Sequence, residues 1–202
     1  EYERVYNTPV DCCSLNDYLA CAKAAIALMQ TKEQIFDATL DVIHQLENDH
    51  VIYAELRFAP LQHLELGLTP EAGFSLENHA AAFEKVRQHN IPCTAHSGEA
   101  RGAESVVETL DILKTQRIGH GIRSVEDPVL LERLKSDQIH LEICPTSNHI
   151  TQVYPKGENY SIEKLQEAKV SFGINTDGRA ISNVTLADEY AWLVQNKAWT
   201  ID

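Results

Sequence analysis

Two apolar rhythms run along this chain, and they change over near its middle. The first half is dominated by the helical spacing. Leu15, Leu19, Ala22, Ile26 and Met29 recur at that spacing, which predicts a helix running to about Met29 with Ser14 or Asn16 as its cap. Thr31 and Gln34 form a capping-box pattern that opens a second helix. Its apolar side carries Ile35, Phe36, Val42, Ile43 and Leu46, with Thr39 among them. Val51 to Phe58 then reads as a strand with Tyr53, Glu55 and Arg57 on one face. Two ionic groups there fit a paired charge inside a barrel or an exposed edge, and this segment alone leaves both readings open.

From Ser75 onward, short apolar runs alternate with helical patterns. Leu76 to His89 reads as a helix with Ser75 as cap, and Ile91 to His96 as a strand. Ala103, Val106, Val107, Leu110 and Leu113 mark the next helix. Arg117 to His120 is a short strand. Asp127 caps a helix with Pro128 at its first position, where proline needs no N–H. Ile139 to Cys144 is a strand, Ser161 to Ala168 a helix, and Val170 to Asn175 a strand. A last helix carries Leu186, Tyr190, Leu193 and Val194. This alternation predicts an α/β chain with a parallel sheet and right-handed crossovers. Five strands are expected in all: 51–58, 91–96, 117–120, 139–144 and 170–175.

Composition narrows the function classes. A chain of 202 residues is long enough for one domain with a sizeable core. A formal charge of −13 argues against a nucleic-acid surface and an anionic membrane partner. No apolar run approaches the length of a membrane span, and the first residues do not read as a signal peptide. The five cysteines are odd in number and show no C-x-x-C pair. They read as buried free thiols of a reducing compartment, the cytoplasm. Cys12-Cys13 as a metal or redox pair is the competing reading.

Four expected strands end on groups able to bind metal or move a proton. The stretches are His96-Ser97-Gly98-Glu99, Gly119-His120-Gly121, Cys144-Pro145-Thr146-Ser147-Asn148 and Asn175-Thr176-Asp177-Gly178. A parallel barrel builds its site from the C-terminal ends of its strands in this way. A histidine at a strand end is held rigidly, as a metal ligand must be. Gly98 permits a sharp turn that brings Glu99 towards the same cavity. There Glu99 suits a proton shuttle beside an activated water; helix-dipole capping is its alternative role. Flanking glycines open His120 to a ligand, against the plainer reading of a buried core histidine. Asp177 suits a carboxylate ligand or a helix cap. His44, His50, His79 and His89 fall on helices or their ends, and His140 starts its strand at the opposite end from the site. His63 and His149, placed in loops, are minor candidates.

Taken together, these stretches resemble the adenosine deaminase family of zinc-dependent amidohydrolases. Tyr53 to Pro60, His96 to Ala100, Arg117 to Gly121, Leu141 to Asn148 and Asn175 to Asp177 match in order and spacing over nearly the whole chain. The resemblance implies a TIM-type (β/α)8 barrel with one Zn2+ per complete active site. By it, His96 and Asp177 would be zinc ligands and Glu99 the proton donor to the purine ring nitrogen. His120 would orient the attacking water and help deprotonate it. The implied reaction is hydrolytic deamination of adenosine or deoxyadenosine to inosine and ammonia in purine salvage. The partner implied is a small-molecule purine nucleoside, with no nucleic acid and no membrane.

Three departures from the family pattern shape the expectation. The family's first strand carries an H-x-H pair that supplies two zinc ligands, and no H-x-H occurs here. The first strand is therefore expected before residue 1. About five of eight strands are present, and Leu61 to Phe74 is too short for the two βα units the family has there. A missing segment is expected near residues 70–73, so that 1–202 forms a single incomplete barrel domain. Gly178 stands where many relatives have an aspartate that contacts the purine. Three readings follow: an adenosine deaminase, a related adenine deaminase, or a truncated non-catalytic paralogue or fragment.

Overall fold

Four short strands lie side by side in chain order, all parallel. In the computed structural model, which describes residues 14–56, 76–154, 161–197 and 199–200, they are β1 (Thr94–Ser97), β2 (Arg117–His120), β3 (His140–Ile143) and β4 (Ser171–Ile174). The register pairs Ala95 with Ile118, Ile118 with Leu141, and Leu141 with Phe172. Side chains alternate along a strand and paired residues share a face, so this row lies on one apolar face. Thr94, Arg117, His140 and Ser171 form a row on the other face, and His96, Gly119, Glu142 and Gly173 a second. One face of the sheet is therefore greasy and the other is lined with groups that do chemistry.

Helices return the chain between strands, as parallel pairing requires. These are α4 (Ala103–Ile112) after β1, α5 (Pro128–Ser136) after β2, and α6 (Pro145–Ile150) and α7 (Glu163–Glu167) after β3. Val106, Leu110, Leu130, Leu134 and Leu165 are buried with Ile118, Leu141 and Ile143. Each such side chain contributes about 1.5–3 kcal/mol of burial. Asp127 caps α5 through the amide of Val129 at 2.8 Å, with Pro128 in the first turn. Before β1 lies α3 (Glu77–Gln88).

Two compact units divide the chain: Pro70–Asn175, which holds the sheet, and Glu1–Thr69 together with Thr176–Asp202. In the second, Ser14 caps α1 (Leu15–Ile26), and Thr31 and Gln34 complete the capping box of α2 (Lys32–Asn48). Asp49 binds the Arg179 guanidinium at 3.3 Å and the Leu186 amide at 2.9 Å. These contacts tie α2 to the segments α8 (Arg179–Ser182) and α9 (Leu186–Lys197).

Several expectations need correction. Residues 51–56 form no strand, and the remainder of 51–58 lies outside the described residues. Ile52, Tyr53 and Leu56 are exposed, so among the described residues no ladder and no core holds this stretch. Tyr53 donates to Glu55 at 2.5 Å, a local contact between side chains two residues apart. Four of the five expected strands are thus present among the described residues. The amphipathic pattern of α2 yields a helix with no buried residue, and Phe36 and Ile43 lie exposed. His149 sits on α6, not in a loop, and is exposed. Ser75, Cys12, Cys13 and His63 lie outside the described residues. Cys21, Cys93 and Cys144 are free and buried, as expected. No helix among the described residues is long and apolar enough to cross a membrane.

Candidate functional site

His96 occupies the C-terminal half of β1, where backbone pairing to β2 fixes its direction. The chain then turns through Gly98 at φ +69°, a conformation that side chains beyond glycine rarely adopt. Space forbids a side chain there as well: a Cβ on Gly98 would lie 2.7 Å from Val106. Buried Ser105 locks the turn. Its hydroxyl accepts from the Gly98 amide at 3.0 Å and the Ser97 hydroxyl at 3.1 Å, and donates to the Gly102 carbonyl at 2.8 Å. All its hydrogen-bonding capacity goes into holding Glu99 three residues beyond His96.

The end of β2 is built in the same way. Gly121 has φ +69°, and a Cβ there would meet Leu141 at 2.8 Å. Its amide donates to the Ser97 carbonyl at 2.9 Å, which carries the β1–β2 pairing past the strand ends. His120 itself has φ +61°. A non-glycine residue in that region stores strain of order 1–3 kcal/mol and is held there by its surroundings.

Those surroundings are polar and dry. His120 is 1% exposed and Glu99 6%. Their side chains meet at 3.3 Å, Nε2 to Oε2. The His96 and His120 rings lie 5.2 Å apart, tilted by 44°, and a ring nitrogen of each lies within 4.8 Å of the other. From α6, Asn148 Nδ2 reaches His120 Nδ1 at 3.0 Å. Thr151, at the C-cap of the same helix, reaches Glu99 Oε1 at 3.4 Å while donating to the Ser147 carbonyl at 2.9 Å. Lower on the chemical face, Glu142 forms an ion pair with Arg117 at 2.8 Å and accepts from Thr94 at 3.3 Å.

The structure therefore brings His96, Glu99 and His120 to one end of the sheet. His120 is buried, as its plainer reading has it, and Glu99 and Asn148 both reach its ring. Asp177 follows β4 by three residues, exposed and at φ +53°. Gly178 holds the N-cap position of α8, one residue after Asp177, with no side-chain cap bond of its own. His140 sits at the start of β3, bonded to Ser171 at 2.8 Å, at the far end of the sheet as expected. Sequence reasoning assigned no role to Asn148, Thr151, Ser105 or Glu142. A signal for the first two was present: three residues separate them on one helix, so both project from one side towards the neighbouring strand ends.

A parallel sheet with helical crossovers and chemistry gathered at the strand C-termini is the (β/α)8 arrangement, of which these four strands are a part. Among solved structures, the chain is similar to an adenine deaminase from Arthrobacter aurescens, with 26% identity and a TM-score of 0.60, covering 81% of this chain and 47% of that one. It is also similar to an amidohydrolase from Burkholderia ambifaria solved with bound zinc, with 23% identity and a TM-score of 0.58, covering 64% of this chain and 37% of that one. The chain thus spans about half or less of the length of these two structures. An adenosine deaminase from Enterococcus faecalis is 31% identical over 242 residues, covering 90% of this chain and 72% of the relative. The family model for adenosine deaminase matches residues 69–202. The chain belongs to the adenosine deaminase family, a family of hydrolytic deaminases.

Proposed function

We propose that this chain serves hydrolytic deamination of a purine, adenosine or deoxyadenosine, releasing inosine or its deoxy form and ammonia. The observation that carries the reading is the buried Glu99–His120 pair at 3.3 Å beside His96. An acid and an imidazole held together away from bulk water suit proton transfer to a ring nitrogen, since each interaction is stronger where water is excluded. Glu99 delivers the proton to the purine ring, which makes the ring carbon bearing the amino group more electrophilic. His120 orients the attacking water.

His96 and Asp177 are the residues proposed to hold zinc. The donor set fits: imidazole nitrogen and carboxylate oxygen are ordinary zinc ligands, and His96 is held by strand pairing. When bound, zinc supplies activation of water at neutral pH. Support comes from the zinc held by the Burkholderia ambifaria protein. The reading places the protein in purine salvage in the cytoplasm, in keeping with its free buried thiols.

Two further readings have their own support. Adenine is favoured as substrate by the likeness to the Arthrobacter aurescens adenine deaminase. A non-catalytic chain is favoured by an alignment that runs over 242 positions while taking in 90% of a 202-residue chain, so the relative carries segments this one lacks. The test is ammonia release from adenosine, deoxyadenosine and adenine with zinc supplied. Turnover of the nucleosides above adenine is the expected result. Preference for adenine selects the second reading, and no release from any of the three selects the non-catalytic one.

A further inference from the structure

Asn148 stands against the Nδ1 edge of the His120 ring. The amide nitrogen of Asn148 is 3.0 Å from His120 Nδ1. An amide NH2 can only donate, so Nδ1 must accept and its lone pair is taken. A neutral imidazole then carries its single proton on Nε2. That atom is 3.3 Å from Glu99 Oε2, close enough for its proton to be shared with the carboxylate. Asn148 is 1% exposed, so no bulk water competes for the ring nitrogen. The residue is fixed by its place on α6, directly after β3.

We propose that Asn148 is a positioning residue that sets the tautomer of His120, so that His120 presents an N–H and not a lone pair to the reacting groups. The inference rests on the deaminase reading and narrows it. With Nδ1 occupied by a donor and the proton on Nε2, neutral His120 has no free lone pair with which to take a proton from water. Its part is orientation and charge stabilisation, and the proton traffic falls to Glu99. The family resemblance alone implies a deprotonating His120, and the geometry around Asn148 does not favour that part of it. Thr151, three residues on, touches Glu99 from the same helix, so one turn of α6 supports both members of the pair.

The test reads the tautomer directly. In the metal-free chain with 15N-labelled histidine, at a pH above the usual imidazole range of ~6.5, the His120 ring should show its proton on Nε2. Asn148→Asp offers only an acceptor and should move the proton to Nδ1, whereas Asn148→Leu should give a mixture. With zinc and adenosine, Asn148→Asp should lower kcat about 10²-fold, the low end of general acid–base effects, with KM nearly unchanged. Asn148→Ser, which keeps a donor, should recover part of the loss. A wild-type proton on Nδ1, or an Asn148→Asp chain that keeps it on Nε2, overturns the proposal. If Asn148→Asp does not fold, the wild-type spectrum alone decides. A flipped tautomer with kcat unchanged upholds the control by Asn148 and removes His120 from the reaction, which separates failure of the deaminase roles from failure of this inference.

Discussion

At the scale of single residues, the site depends on two glycines as much as on its acid and its imidazole. Gly98 and Gly121 both sit at φ +69°, each with a neighbouring side chain closer than 3 Å to where a Cβ would go. Alanine at either position meets two penalties: about 1–2 kcal/mol for the left-handed backbone, and displacement of Val106 or Leu141 from a close-packed core. We expect Gly98→Ala and Gly121→Ala to lose at least ~2 kcal/mol in urea unfolding; unchanged midpoints would show that the turns are not tight. Glu99→Gln is a different case. Gln fills the same volume but cannot shuttle a proton, so the melting temperature should hold while ammonia release falls ~10²–10⁴-fold. Normal release by the Gln chain would take Glu99 out of the reaction. The need for Gly98 at this turn was legible from H-x-G-E spacing. Ser105 as the lock on the turn was not, because its partners come from three separate positions.

Caps decide the elements, and most were visible as local patterns. Asp127 with Pro128, and Thr31 with Gln34, form the bonds their spacing implies. At the head of α9, Thr185 and Asp188 reciprocate in the same manner: the Thr185 amide donates to Asp188 at 2.9 Å, and the Asp188 amide donates to Thr185 Oγ1 at 3.2 Å. Hydrogen bonds from the Thr185 side chain and backbone hold the Asp188 carboxyl below its ordinary value of 3.8. A carboxylate depressed on folding adds stability that is present above its unfolded pKa and is lost as pH falls through the folded one. The contribution of Asp188 should therefore fade below about pH 3.8. Thr185→Ala should bring the Asp188 carboxyl back up in an NMR titration and cost about 0.5–2 kcal/mol, as other lost caps do. A titration curve identical to that of the wild type would show that the box does not form. Patterns failed where an element needs a distant partner: 51–56 alternates like a strand, yet a strand holds only against a neighbour.

For the molecule as a whole, the proposed ligand set fixes the expected metal affinity. The two proposed ligands, His96 and Asp177, fall short of the three that catalytic zinc takes, so the 202-residue chain is expected to bind zinc weakly. One tightly held zinc per chain in metal analysis would refute this. Where zinc is retained, His96→Ala and Asp177→Ala should each lower both zinc content and deamination, because each removes a donor. His120→Ala should keep the zinc and slow the reaction. Emptying by His120→Ala, with Asp177→Ala still full, would reverse the roles given to the two residues.

Local chemistry determined much of this protein. Strand ends, caps and glycine turns depend on neighbours in sequence, so the parallel order β1-β2-β3-β4 and the grouping of His96, Glu99 and His120 at one sheet end followed from spacing. Tertiary structure alone decided which groups complete those residues. Asn148 is 28 positions from His120 and Thr151 is 52 from Glu99, and only the packing of α6 beyond β3 brings them into contact. It also decided that α2 has no buried residue among the described ones, since periodicity specifies a face but not what lies against it.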